Sequence, residues 1–120
     1  MATREIPREQ WAAFLDGYTR HRRWRLVNLE ILDPEGGVGV QARSLPLEGI
    51  VAEIRHGHDE LEIAVGGGTG EHLWHRIAGP TRIWLRQAGE DGPETMEIES
   101  ASGVRTLVHM RPYLLPAVPG

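Results

Sequence analysis

Glu94-Thr-Met-Glu-Ile-Glu-Ser100, then Ala-Ser-Gly103, then Val104-Arg-Thr-Leu-Val-His-Met110 reads as two alternating apolar and polar segments joined by a short turn ending in glycine. Successive side chains of a strand point to opposite faces of a sheet, so period two marks a half-buried strand. A turn this short closes the pair into an antiparallel hairpin. The pattern recurs upstream. Residues 24–32 carry Val27, Leu29 and Ile31 on one face, and Asp33-Pro-Glu-Gly-Gly37 then reverses the chain into a strand with Val38, Val40 and Ala42. Ser44-Leu-Pro-Leu-Glu-Gly49 reads as a connector, because Pro46 has no N–H to give a central strand. Residues 50–55 and 61–65 pair around His56-Gly-His-Asp-Glu60, and residues 72–77 and 82–87 pair around Ala78-Gly-Pro80.

Ahead of the strands lies one helix, expected over residues 7–22. Pro7 suits a first helical position, and Trp11, Phe14, Leu15 and Tyr18 fall at i, i+3, i+4 and i+7 as one apolar stripe. Arg20, His21, Arg22 and Arg23 crowd its end, where cations offset the negative pole of the helix. Roughly eight short strands at this spacing make the chain mainly β. The expected fold is a small antiparallel β-barrel or sandwich with one N-terminal amphipathic helix, a single domain over residues 1–120. The strands occupy residues 24–111, and residues 112–120, with three prolines, form an extended tail.

Composition excludes much chemistry. With 120 residues, 40% hydrophobic and 25% charged, the chain suits one globular domain. It has no Cys, which removes disulfides, thiolate nucleophiles and thiolate metal sites. It has no Lys either, all 13 basic residues being Arg, which removes Schiff-base chemistry and a P-loop lysine. The net charge of −4 disfavours non-specific nucleic-acid binding, leaving Arg20, Arg22, Arg23 and Arg25 as the only patch for it. No apolar run approaches the ~20 residues of a membrane span, and the first ten residues lack the apolar core of a signal peptide. The expected location is the cytoplasm.

Few residues have ligand-like spacing. His56 and His58 flank a glycine, and Glu62 follows four residues on. This resembles the first motif of the cupins, in which an HxH pair and a later Glu hold a divalent metal inside a barrel. The glycine spacing departs from that motif, Thr69 stands where its closing glycine belongs, and no Pro-x-Gly precedes His109. Glu62 also alternates against Leu61, Ile63 and Val65, so it faces away from a barrel interior. Gly66-Gly-Gly-Thr-Gly70 follows a strand as a phosphate loop would, but strand rather than helix follows it. His72 and His75 point to opposite faces, His75 inward. No serine lies in a nucleophile elbow, and Glu97 and Glu99 read as a solvent face. No catalytic residues and no cofactor are expected; a divalent metal at His56, His58 and Glu62 is the alternative.

The outer face of the segment around residues 72–87 is the candidate surface. Leu73, Ile77, Ile83 and Leu85 share odd numbers and so the core face. Paired about Ala78-Gly-Pro80, that hairpin sets Trp74 opposite Trp84, Arg76 opposite Arg82 and His72 opposite Arg86 on the outside. Trp and Arg are enriched in binding hot spots. Trp74, Trp84, Arg76, Arg82 and Arg86 therefore form the expected partner-binding patch of a non-enzymatic module that self-associates as a homo-oligomer or binds a protein. Acidic side chains at Glu97 and Glu99 would neutralise part of it.

Arg4-Glu-Ile-Pro-Arg-Glu-Gln-Trp11, Leu45-Pro-Leu-Glu-Gly-Ile50, Pro80-Thr-Arg-Ile-Trp-Leu85 and Ile98-Glu-Ser-Ala-Ser-Gly-Val-Arg-Thr-Leu107 resemble an uncharacterised bacterial family of short proteins, a domain of unknown function. The resemblance covers most of the chain. It implies a coherent single domain, no assigned activity and no catalytic residues, and it leaves His56 and His58 outside the shared pattern.

Overall fold

In chain order the elements of a computed structural model are β1 (Ala2–Ile6), a 3-10 turn (Arg8–Gln10), α1 (Trp11–Arg22), β2 (Leu26–Leu32), β3 (Val38–Glu53), β4 (Glu60–Val65), β5 (Leu73–Ala78), β6 (Pro80–Gln87), β7 (Glu94–Ser100) and β8 (Arg105–Met110). The structure describes residues 2–55, 57–88 and 93–111. The strands form one antiparallel sheet in the order β1-β6-β7-β8-β2-β3-β4-β5, which is not closed and has β1 and β5 as its edges. The mainly β reading with one N-terminal helix holds. The expected tail over residues 112–120 lies outside the described residues.

Period two sets the inner face as expected. Val27 and Leu29, Leu61 with Ile63 and Val65, Ile83 with Leu85, Met96 with Ile98, and Val108 with Met110 are all buried. The helical stripe completes this core with Trp11, Leu15 and Tyr18 buried and Phe14 packed beside them. The Trp11 indole N–H donates to the Ile6 carbonyl at 2.9 Å, which fastens the helix start to the end of β1. Pro7 caps the 3-10 turn with φ −58° and ψ 143°, just ahead of the helical residues. At the other end Trp24 takes a left-handed φ of 72°, the position at which helices usually place glycine.

The described residues form eight strands, but not the eight that periodicity marks. The expected connector at residues 44–49 is part of β3, one strand of 16 residues that pairs first with β2 and then with β4. Pro46 is tolerated because it is the last β3 residue paired with β2, where the ladder passes from one neighbour to the other. The passage is marked by a bulge. Ser44 has φ 52° there, and its N–H donates to Asn28 Oδ1 at 2.8 Å. Beyond it, α1 stands where β2 has ended: Ile50 N–H donates to Thr19 Oγ1 at 3.1 Å, and Trp24 N–H to the Leu47 carbonyl at 2.7 Å. These bonds satisfy backbone groups that an open sheet would leave bare.

The second correction concerns residues 72–87. β5 and β6 do not pair with each other. β5 lies on β4, with Trp74 opposite Ala64 and Arg76 opposite Glu62. β6 lies between β1 and β7, with Trp84 opposite Glu5 on one side and Glu97 on the other. Only Gly79 separates the two strands, at φ +62°. Its N–H donates to the Asp59 carbonyl and its own carbonyl accepts from Ala101 N–H. Gly79 thus ties together two distant turns, and the chain leaves it for opposite edges of the sheet. The odd-numbered residues do face inward, Ile77, Ile83 and Leu85 being buried. The missing partner of β6 is β1, whose exposed pattern (only Ile6 buried) gives no periodic signal.

Candidate functional site

The expected Trp–Arg patch divides in two. On the edge strand β5, Trp74 is 62% exposed and its ring lies 4.3 Å from that of His72, itself against Glu48. Arg76, beside Trp74 on the same face, reaches Glu60 at 3.6 Å. On β6, Trp84 is half-buried in a row that runs Glu5, Trp84, Glu97, Leu107, Glu30, Val40 across β1, β6, β7, β8, β2 and β3. Arg82 approaches Glu5 at 3.9 Å, and Arg86 approaches Glu97 at 3.6 Å. For Arg86 this is the foreseen Glu97, whereas Arg82 meets Glu5 of β1 rather than Glu99 of β7.

Glu97 corrects the solvent-face expectation, for it is only 5% exposed. It stands on the outer face of a central strand, where Trp84 and Leu107 flank it and Arg86 and Arg105 (3.8 Å) hold its carboxylate. One row over, Thr95 Oγ1 and His109 Nδ1 share a hydrogen bond of 2.9 Å, and His109 Nε2 lies 3.4 Å from a Glu30 carboxylate oxygen. The order hydroxyl, imidazole, carboxylate orients a histidine. The amides of β7 and β8 beside it are spent on the sheet.

The strongest electrostatic feature is inside. Glu94, 7% exposed at the start of β7, takes a bidentate pair from Arg22 at the end of α1 (2.5 and 2.9 Å) and a third bond from Gln87 Nε2 at 2.6 Å. Burial pushes the Glu94 carboxyl up, but the hydrogen bonds from Arg22 and Gln87 and the Arg22 charge outweigh it, leaving it below the usual range. The Arg22 guanidinium also lies 4.2 Å from the centre of the Tyr18 ring. Burial, then the Glu94 charge, raise the Tyr18 phenol well above its ordinary value. Glu94 shares its parity with Met96 and Ile98, so an inward-facing acid in need of a cation was legible; its partner 72 residues away was not.

The basic cluster is thereby spent in part. Arg22 belongs to Glu94, Arg20 pairs with Asp16 at 3.3 Å, and Arg25 donates to the Arg111 carbonyl. Of the alternative metal set, His56 lies outside the described residues, His58 is exposed in the β3–β4 turn, and Glu62 is exposed on the outer face. Among the described residues no group of three or more His, Asp or Glu is placed to hold a metal ion. His75 faces inward opposite Ile63, and burial lowers its pKa.

The family model described as a family of unknown function, DUF5335, matches residues 2–118. The chain belongs to this family. A similar chain, an uncharacterised protein of Aquifex aeolicus (strain VF5), is 30% identical over 115 residues, covering 95% of this chain and 96% of that one. The crystal structure of the Bacillus subtilis YojF protein matches with a TM-score of 0.52 at 14% identity, covering 96% of this chain and 100% of that one, a likeness of fold. The expected membership of an uncharacterised bacterial family is borne out.

Small open clefts lie among the described residues of this DUF5335 member. One of about 180 Å³ lies on the β3–β4–β5 outer face between Val51, Glu53, Glu60, Glu62 and Arg76. Another of about 250 Å³ lies beside Arg86, Gln87, Pro93, Thr95 and His109. Both fall short of the roughly 300–1,000 Å³ typical of small-molecule sites. No helix among the described residues is long and apolar enough to cross a membrane.

Proposed function

We propose that this DUF5335 chain is a cytoplasmic, non-enzymatic docking module that associates with itself or a protein partner through the edge of β5. The observation that carries this reading is Trp74, 62% exposed on a strand paired on one side only. An exposed tryptophan beside a row of unpaired backbone groups combines a hot-spot anchor with the template for strand addition. No backbone hydrogen bond reaches Leu73–Ala78 from the side away from β4 among the described residues. Trp84, Arg82 and Arg86 take a supporting place, since neighbouring acids and β1 cover them.

The test is sedimentation velocity over a concentration series for the native chain, Trp74→Ala and Trp84→Ala, with circular dichroism as the check on folding. The expected result is concentration-dependent association that Trp74→Ala weakens at least tenfold and Trp84→Ala leaves in place. A folded Trp74→Ala variant that associates like the native chain overturns the reading.

A further inference from the structure

The β5 edge names its own partner. In an antiparallel pair, directly opposite residues point to the same face, so a two-fold axis perpendicular to the sheet must pass through a residue rather than between residues. On β5 three central positions qualify. An axis at Arg76 sets Arg76 against its own copy, and an axis at Trp74 sets His72 against Arg76; both oppose cationic or basic groups. An axis at His75 gives a different pattern. Leu73 then faces Ile77 of the other copy on the inner side, and Trp74 faces Arg76 on the outer side, each pairing occurring twice.

We infer that the chain forms a two-fold dimer by antiparallel β5–β5 pairing, with the axis through His75. This names the partner of the docking edge above and rests on that edge being the docking surface. Leu73-Trp-His-Arg-Ile77 is self-complementary only in this register: apolar meets apolar on the core side, and a guanidinium meets an indole face outside. His75 also lies near the middle of the six-residue strand, and this register pairs five of its residues, 73–77. Burial already favours the neutral imidazole. Two neutral rings on the axis can share a hydrogen bond, one donating and the other accepting. The Glu60 and Glu62 side chains on β4 lie one strand back, with Arg76 between them and the axis.

Because the chain contains no Cys, single cysteines report this geometry without background. Opposite residues in an antiparallel pair have Cα atoms about 4.5–5.5 Å apart, inside the range a disulfide spans. Position 75 faces itself, whereas two copies of position 74 stand diagonally, roughly 7–8 Å apart and too far to bridge. Under mild oxidation His75→Cys is expected to give a disulfide-linked dimer as its main product. Trp74→Cys and Arg76→Cys each stay uncrosslinked alone but crosslink to one another when mixed, an arm that keeps His75 intact. Val40→Cys, exposed on β3, stays uncrosslinked. Crosslinking of Trp74→Cys or Arg76→Cys alone, without the mixed product, overturns the register while leaving the β5 edge as the docking surface. A native chain that sediments as a monomer at all concentrations overturns the dimer itself. A dimer that none of the three positions traps overturns the β5 edge together with the docking role.

Discussion

The two edges of this sheet are built on opposite plans. β1 is short, carries exposed Thr3, Arg4 and Glu5, is followed by Pro7, and is fastened by buried Ile6 and the Trp11 indole. Charge and proline are the ordinary means of blunting a strand edge. β5 presents Leu-Trp-His-Arg-Ile-Ala with no proline or bulge, and its tryptophan is among the most exposed large hydrophobic residues described. β5 and β6, the latter lying beside the β1 edge, follow one another in sequence with only Gly79 between them. Trp74 and Trp84 thus begin as equivalent members of one alternating stretch and end differently, because β6 has β1 and β7 on its two sides while β5 has only β4 among the described residues. Exposure here is a property of the neighbour, not of the residue.

The β1 side is also buttressed by the helix. Gln87 is opposite Ala2 in β1 and Glu94 in β7, and Glu94 is held by Arg22. Arg22→Ala strands a buried carboxylate and should cost about 3 kcal/mol, lowering Tm by about 10 °C, as calorimetry reads it. The β5 edge lies elsewhere in the sheet, so association measured below the new Tm should persist. Replacing both partners, Arg22→Met with Glu94→Leu, should recover most of the loss.

Acid should act on the same buttress. The Glu94 carboxyl is held below its ordinary value of 4.5, so its contribution is complete above that pH and fades as pH falls through the lowered value. Denaturant midpoints between pH 6 and roughly pH 3 should therefore fall more steeply for the native chain than for Glu94→Gln.

Next in size, Trp84→Ala removes a half-buried ring between Glu5 and Glu97 and should cost about 1–2 kcal/mol. Trp74→Ala should change stability by less than about 0.5 kcal/mol, and urea unfolding of the two variants puts the comparison of the two tryptophans directly to the test. Equal losses would mean that Trp74 is covered within a single chain. Smallest of all, Glu5→Ala breaks an exposed pair with Arg82 and should shift the urea midpoint by no more than about 0.5 kcal/mol.

The fold was legible where local pattern decides it. Period two placed Ile77, Ile83, Leu85, Met96, Ile98 and Val108 on the core face, and the turns at Gly37 and Gly103 closed the expected hairpins. Pairing between distant strands carries no such local mark. β1 shows one buried residue in five, Pro46 sits where a strand changes neighbours, and Gly79 is too short a link for the hairpin it seemed to head. The candidate site followed the same division. The residues of the patch and their outward faces were readable, as was Glu97 beside Arg86, but Glu5, which meets Arg82 from β1, was not. Which tryptophan stays bare was not, since it depends on β1.

The association of the chain through β5 is most directly tested by sedimentation equilibrium of the native chain beside folded Trp74→Ala and Trp84→Ala. A mass of twice the single chain for native and Trp84→Ala, falling to the single chain for Trp74→Ala at the same concentration, is the expected result. A native monomer at every concentration, or a dimer indifferent to Trp74, would contradict it.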